Sequence, residues 1–199
     1  MTDISYFVET DEAQDVAGSI RQALKCWEFT VEDPHAWKWV ILALHSALQG
    51  ACVCHLVTTA SPLGAVTEKN TIKWLEYFEN SHSDETLKPP TTQLMSLPEL
   101  LKAVRKLNSV GQNLGIDHQV SISESELNWL IRIHSEFRNQ FIHFSPTGWA
   151  FDVSGMSKLA QLIARIVQDI LDCHWAFRHL DTEKRDLLEN DLKKLSIGF

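Results

Sequence analysis

Apolar residues recur at intervals of three and four along most of the chain, which is the period of an amphipathic helix rather than that of a strand. The first such segment covers about residues 12–29. Asp33 and Pro34 then supply an N-cap and a proline at the first helical position. A long, nearly uncharged helix is predicted to follow over about 35–57, and a third helix over about 68–78.

The second half of the chain continues this pattern. Ser96 can cap a short helix that extends to about residue 107. Ser123 and Glu126 form a capping box, which marks a helix start. The helix that it opens has an apolar stripe formed by Leu127, Leu130, Ile131, His134, Phe137 and Phe141. Residues 145–148 predict a turn, and the alternating side chains at 149, 151 and 153 indicate a short extended strand. Two more helices are predicted, over about 155–180 and 181–195.

These elements predict an all-α fold, an antiparallel helical bundle of about five to seven helices. The chain has only eight glycines and six prolines, which favours helices over a turn-rich β fold. We predict a single domain over residues 1–199. It comprises an acidic N-terminal arm at about 1–11, a core bundle at about 12–180 and a charged C-terminal helix at about 181–199. Residues 80–92 and 108–120 are predicted loops.

The net charge of −8 argues against a non-specific nucleic-acid coat, because such binding depends on many Lys and Arg contacts to phosphate. This net charge is compatible with a small cationic site on an otherwise acidic protein. The four cysteines are few, and the N-terminus lacks a basic start followed by an apolar run. We therefore expect a cytoplasmic, reduced protein.

The uncharged stretch over residues 39–67 raises the question of a membrane span, which needs about 20 predominantly apolar residues. Polar side chains at His45, Gln49 and His55 interrupt it, and the Ser61–Gly64 sequence ends the helix. A central helix of the bundle, buried nearly all round, explains this composition better. We therefore expect no membrane association.

The strongest candidate for chemistry is the segment Arg138-Asn139-Gln140-Phe141-Ile142-His143 at the end of the capped helix. A guanidinium binds phosphate oxygens bidentately, and an imidazole can accept or donate a proton near neutral pH. On an ideal helix Asn139 and His143 share a stripe, whereas Arg138 and His143 differ in direction by about 140°. Attack by an RNA 2′-hydroxyl on its own phosphate needs these groups and no metal.

This segment resembles the motif of the HEPN superfamily (higher-eukaryote and prokaryote nucleotide-binding domains), in which Arg and a polar residue are followed, after a short spacer, by His. The resemblance implies an antiparallel helical bundle and, in many members, a metal-independent endoribonuclease of a toxin or defence type. It implies that Arg138 holds phosphate, His143 is the acid/base or phosphate-orienting group, and Asn139 supports them. No tyrosine closely follows His143, unlike in some ribonuclease members.

The resemblance also implies the partners. RNA or a nucleotide is the expected ligand, a homodimer is expected with the site near its interface, and a cognate protein partner is conceivable. The alternative function is a non-catalytic module that binds a nucleotide or a protein. A purely structural interpretation stays open as well, in which Arg138 pairs with a carboxylate such as Glu136 and His143 caps the helix C-terminus.

Two other groups of polar residues are candidates for a functional role. His45, Gln49 and Cys52 lie on one stripe of the long second helix and either line a polar pocket facing Arg138 or, the interpretation we favour, belong to a hydrogen-bonded core. The Cys and His residues at positions 52, 54, 55, 173 and 174 lack the spacing of a zinc site. We therefore expect no metal and no cofactor.

Overall fold

The structure is a computed structural model that describes residues 7, 10–111, 119–143, 146 and 148–198. Within these residues it contains seven helices and no strand, which confirms the predicted all-α bundle. They are α1 (Glu12–Glu28), α2 (Ala36–Leu56), α3 (Glu68–Asn80), α4 (Leu97–Val104), α5 (Glu124–Arg132, Ile133–Arg138 and Asn139–His143 in succession), α6 (Met156–Asp172) and α7 (Thr182–Ile197). The predicted acidic arm, the loop at 108–120 and the turn at 145–148 lie partly outside the described residues.

The centre of the bundle is the antiparallel pair formed by α1 and α2. Trp27 packs edge-on against Trp37 near the connection between them, with ring centroids 4.7 Å apart. At the other end of the pair, Gly50 lies against Val16. A β-carbon on Gly50 would come within 2.7 Å of Val16 Cγ2, so the two helices approach each other closely only because this residue has no side chain.

Helix α2 is the core helix, as its composition predicts. It packs against α1, α4, α5 and α6. It is also the one described helix that is long and apolar enough to cross a membrane by length and composition, with a mean hydropathy of 1.5, and 67% of the tested window is buried inside the bundle. The core helix of a bundle passes the same test. The C-terminal helix α7 packs on α1 and α6, burying Leu188, Leu192 and Leu195.

The predicted helix starts are confirmed where hydrogen bonds define them. The Ser123 side chain accepts from the Glu126 amide while the Glu126 carboxylate accepts from the Ser123 amide at 2.8 Å, a complete capping box. Ser96 begins α4 with a similar box. The Asp11 carboxylate caps α1 by accepting from the Gln14 amide at 2.7 Å.

Two predicted elements were wrong. The helix expected over about 155–180 ends at Asp172, because His174 and Phe177 adopt the left-handed backbone, with φ of 58° and 60°, which an α-helix cannot accommodate. The alternating residues at 149–153 form no β-ladder within the described chain. Instead, Trp149 and Phe151 pack their rings on Phe137 and Phe141 of α5.

The buried side-chain amide of Asn70 joins the first turn of α3 to the segment that follows the loop at 80–92. Asn70 is 1% exposed; its Nδ2 donates to the Thr91 carbonyl at 3.0 Å, and its Oδ1 accepts from the Gln93 amide at 2.8 Å. These two hydrogen bonds hold the segment after the loop at 80–92 against the first turn of α3. Buried polar groups of this kind are costly to leave unpaired.

We expect Asn70→Ala to lower the free energy of unfolding by about 1–3 kcal/mol, because it leaves the Gln93 amide and the Thr91 carbonyl without their partner. Chemical denaturation followed by circular dichroism measures this. Asn80→Ala is the matched control: the same residue type on the same helix, with an exposed side chain that donates to the Glu76 carbonyl. Equal losses for the two variants would contradict the role assigned to Asn70.

Candidate functional site

Arg138 lies at the mouth of a cavity of about 740 Å³ between α1, α2 and α5. Its side chain is half-buried, and its Nη1 donates to Asn139 Oδ1 at 2.9 Å. No described carboxylate lies within ion-pair distance of Arg138. Glu136, the partner considered from the sequence, pairs instead with Arg132 at 3.2 Å. The guanidinium is therefore oriented by an amide while its positive charge is left without an ionic partner among the described residues.

The backbone that carries Arg138 is unusual. Between Ile133 and Arg138, α5 changes from an α-helix to a π-helix, and it returns to an α-helix at Asn139. A π segment contains an additional residue in its turn, so it alters the direction in which later side chains point. Such segments are often found at functional sites. His134 and Arg138 both belong to this segment, so their placement relative to α2 depends on it.

The opposite walls of the cavity come from the two core helices. Helix α2 contributes His45, Ser46, Gln49 and Gly50, and the N-terminal turn of α1 contributes acidic residues described below. Cys52, which the sequence places on the same stripe, is fully buried and does not line the cavity. Of the stripe formed by His45, Gln49 and Cys52, His45 and Gln49 thus line the cavity. His45 is also buried, so it belongs to the core as well.

His45 and His134 form a hydrogen-bonded imidazole pair directly beside Arg138. His45 Nε2 lies 2.9 Å from His134 Nδ1, and the two rings are nearly parallel. Burial, followed by the positive potential of His134 and Arg138, lowers the pKa of His45 to about 4. Burial and Arg138 also lower the pKa of His134. Both imidazoles are therefore neutral at pH 7, and one nitrogen of the pair carries the shared proton.

Three carboxylates give the cavity a negative wall. Asp11, Glu12 and Asp15 lie at the start of α1 and face the opening. The Asp11 carboxylate caps the helix, and this hydrogen bond to the Gln14 amide holds its pKa below the ordinary value. Asp15 accepts from the Ser46 hydroxyl at 3.4 Å. A cavity with one guanidinium and three carboxylates suits a ligand that has an anionic group at one end and hydrogen-bond donors at the other.

The structure does not bring His143 into this cavity. His143 is the last residue of α5, is exposed, and is absent from the residues that line the opening. In the described part of the chain, no hydrogen bond joins it to Arg138 or Asn139. The single chain thus unites two of the three predicted site residues, Arg138 and Asn139, and leaves His143 on the adjacent surface.

Exposed apolar side chains lie at and after the end of α5. Ile142, which also lines the cavity, is 45% exposed, and Trp149 is 42% exposed. Trp149 stacks on Phe151 with ring centroids 5.1 Å apart, and both rings contact Phe137 and Phe141 of α5. His143 is exposed in the same last turn of α5 as Ile142, so a second protein surface that covered Ile142 would lie close to this imidazole.

The cysteine and histidine residues at positions 52, 54, 55, 173 and 174 do not form a metal-binding cluster. Within the described residues, no set of three His, Cys, Asp or Glu side chains has an arrangement that could hold a metal ion. Burial raises the pKa of Cys52, Cys54 and Cys173 to about 12, so these thiols stay protonated at neutral pH and are poor nucleophiles.

The chain matches no family model, no curated protein sequence and no solved structure. The chemistry of the cavity is therefore the basis for a function. Sequence reasoning missed the acidic wall, because Asp11, Glu12 and Asp15 were interpreted as part of an acidic arm and a helix start. It also missed the contact between His45 and His134, which are 89 positions apart.

Proposed function

We propose that this chain is a HEPN-like helical module that binds a nucleotide, with Arg138 holding the phosphate group. The observation that carries the proposal is a half-buried guanidinium, oriented by Asn139 and without a described carboxylate partner, at the mouth of a 740 Å³ cavity. A guanidinium in this state is suited to bind a phosphate through two parallel hydrogen bonds. The resemblance of the segment from Arg138 to His143 to the HEPN motif supports the same ligand.

The cavity also fits the remainder of a nucleotide. Its volume falls within the range of about 300–1,000 Å³ that is usual for small-molecule sites. The carboxylates of Glu12 and Asp15 can accept hydrogen bonds from the amino group of a base or from ribose hydroxyls. The same carboxylates would repel a continuous RNA backbone, so a single nucleotide suits the walls better than a polymer.

Isothermal titration calorimetry with the four ribonucleoside monophosphates, in EDTA, tests the proposal. We expect saturable binding with one ligand per chain and competition by inorganic phosphate. Absence of saturable binding for all four at millimolar concentration would contradict it. EDTA matters because the proposed site uses side chains alone, and binding that requires a divalent cation would point to a different arrangement.

A second candidate function, a dimeric metal-independent endoribonuclease, is favoured by one observation. His143 is exposed and follows Ile142, and a second copy of the chain could cover both this residue and the exposed Trp149. In such a dimer the imidazole of one copy could approach the guanidinium of the other. This arrangement would bring the imidazole of His143, which does not line the cavity of the single chain, to the guanidinium.

For the endoribonuclease we expect cleavage of RNA in EDTA, with cyclic or 3′ phosphate ends, and a loss of about 100-fold or more in rate for His143→Ala, the usual size of a general acid/base contribution. Gel assays of RNA fragments measure this. His82→Ala, which also removes an exposed histidine, is the matched control. Intact RNA with the wild-type protein, or full cleavage by His143→Ala, would exclude this function.

A further inference from the structure

The histidine pair beside Arg138 is not explained by packing alone. The two rings share one hydrogen bond, and apolar side chains would fill the same volume without a polar group. Here His45 lines the ligand cavity, and both rings lie close enough to the Arg138 guanidinium for its charge to act on them. The cluster therefore combines one fixed positive charge with two titratable rings at one end of the cavity.

The charged groups around this pair come from two elements. Helix α5 contributes Arg138, and α1 contributes the carboxylates of Asp11, Glu12 and Asp15 across the cavity. No titratable side chain of α4 or α6, the other helices that pack on α2, lines the cavity in the described residues. Burial is thus the first cause that opposes protonation of the pair, and the guanidinium is the fixed charge that adds to it.

A bound anion would act against these causes. A phosphate at Arg138 would neutralise the guanidinium, which adds to burial in lowering both pKa values, and would bring negative charge near the rings. An opposite charge within about 4–6 Å raises the pKa of an imidazole by about 1–3 units. By linkage, a group that gains a proton on binding also makes binding tighter when the pH is lowered. The pair and Arg138 would then present two positive charges to the ligand.

Resting on the proposed nucleotide-binding function, we propose that the His45–His134 pair takes up a proton when the ligand binds and so selects a phosphate monoester, with its two negative charges, over a diester. A terminal phosphate with two charges matches the guanidinium and the protonated pair. A diester with one charge matches the guanidinium alone. The ligand class is therefore a nucleoside monophosphate with a free terminal phosphate.

The test uses adenosine 5′-monophosphate and its 5′-methyl phosphodiester as matched probes, titrated into the full chain by calorimetry from pH 6.5 to 8.5. Two buffers of different ionisation enthalpy report the proton uptake. For the monophosphate we expect uptake of up to about half a proton at pH 7 and an affinity that rises by up to about threefold per pH unit on acidification. For the diester we expect binding at least about tenfold weaker at pH 7.

His134→Asn is the informative variant, because its side-chain amide lies where Nδ1 lies in histidine and can donate to or accept from His45 Nε2, but cannot be protonated. We expect it to bind the monophosphate with less proton uptake and a weaker pH dependence than the wild type, because His45 alone remains titratable. NMR titration of the His45 and His134 rings in the wild-type chain, with and without the monophosphate, gives the same answer if the variant does not fold. The pKa of at least one ring should rise on binding.

The outcomes separate the two proposals. Binding of the monophosphate that is lost in Arg138→Ala but shows no proton uptake, no pH dependence and no shift of either imidazole pKa overturns the selection mechanism and leaves nucleotide binding intact. Equal affinity for monophosphate and diester does the same. Failure of both probes to bind at any pH overturns nucleotide binding and, with it, this inference.

Discussion

Replacing Arg138 with alanine is expected to weaken binding of a nucleoside monophosphate by about 2–3 kcal/mol, or roughly 30- to 150-fold in Kd. The variant removes two charge-assisted hydrogen bonds to the phosphate and leaves the negative wall of the cavity unopposed. Asn139, which now accepts from the guanidinium, would lose this hydrogen bond. Calorimetric titration at pH 7 measures the change.

Two further variants make this test specific. Arg138→Lys keeps the charge but loses the planar fork, so we expect an intermediate loss of affinity. Arg132→Ala is the matched control on the same helix, since Arg132 is exposed and paired with Glu136 outside the cavity. Binding by Arg138→Ala that equals the wild type, or an equal loss in Arg132→Ala, would show that the phosphate lies elsewhere. Unchanged circular dichroism spectra would show that the bundle is intact.

Replacing Trp175 with alanine is expected to lower the free energy of unfolding by about 3–5 kcal/mol, the usual cost of truncating a buried aromatic side chain to alanine. Trp175 is 5% exposed, and its Nε1 donates to the carbonyl of Val57, the residue that ends α2, at 3.0 Å. The guanidinium of Arg178 lies over its ring, 3.9 Å from the centroid. One side chain therefore joins the segment after α6 to the end of the core helix.

Two controls divide this effect into its causes. Trp175→Phe keeps most of the buried area but leaves the Val57 carbonyl unpaired, so we expect a smaller loss of about 1–3 kcal/mol. Trp39→Ala removes a tryptophan that is 55% exposed, for which we expect a change below about 1 kcal/mol. Because the chain has seven tryptophans, unfolding is best followed by circular dichroism. A larger loss for Trp39→Ala than for Trp175→Ala would contradict this account.

Local patterns predicted the helical fold well. The apolar period located the helices, and the Ser123 capping box fixed the first residue of α5, because these signals depend on residues that are neighbours in the chain. The end of α6 was predicted wrongly for the opposite reason. His174 and Phe177 adopt the left-handed backbone, although this conformation at a helix end is usually taken by glycine or asparagine. The sequence therefore contains no residue at this point that predicts the end of the helix.

The candidate site was only partly accessible from the sequence. Arg138 and Asn139 are adjacent, so their hydrogen bond could be anticipated from the motif. The His45–His134 pair could not, since it depends on how α2 packs against α5. The acidic wall depends in the same way on where the first turn of α1 meets α2. The roles of Arg138, Asn139 and His143 in binding or catalysis remain predictions for the variants described above.

The change of helix type between Ile133 and Arg138 has a consequence for how this protein can diverge. Removing the additional residue of this segment would let α5 continue as an ordinary helix with the side chains after it in nearly their present directions. Winding all six residues as an ordinary helix would instead rotate every later side chain by about 100°. A relative can therefore keep the Arg-x4-His spacing intact and still present Asn139 differently if it lacks the π turn, so this turn is a better mark of a shared cavity than the motif.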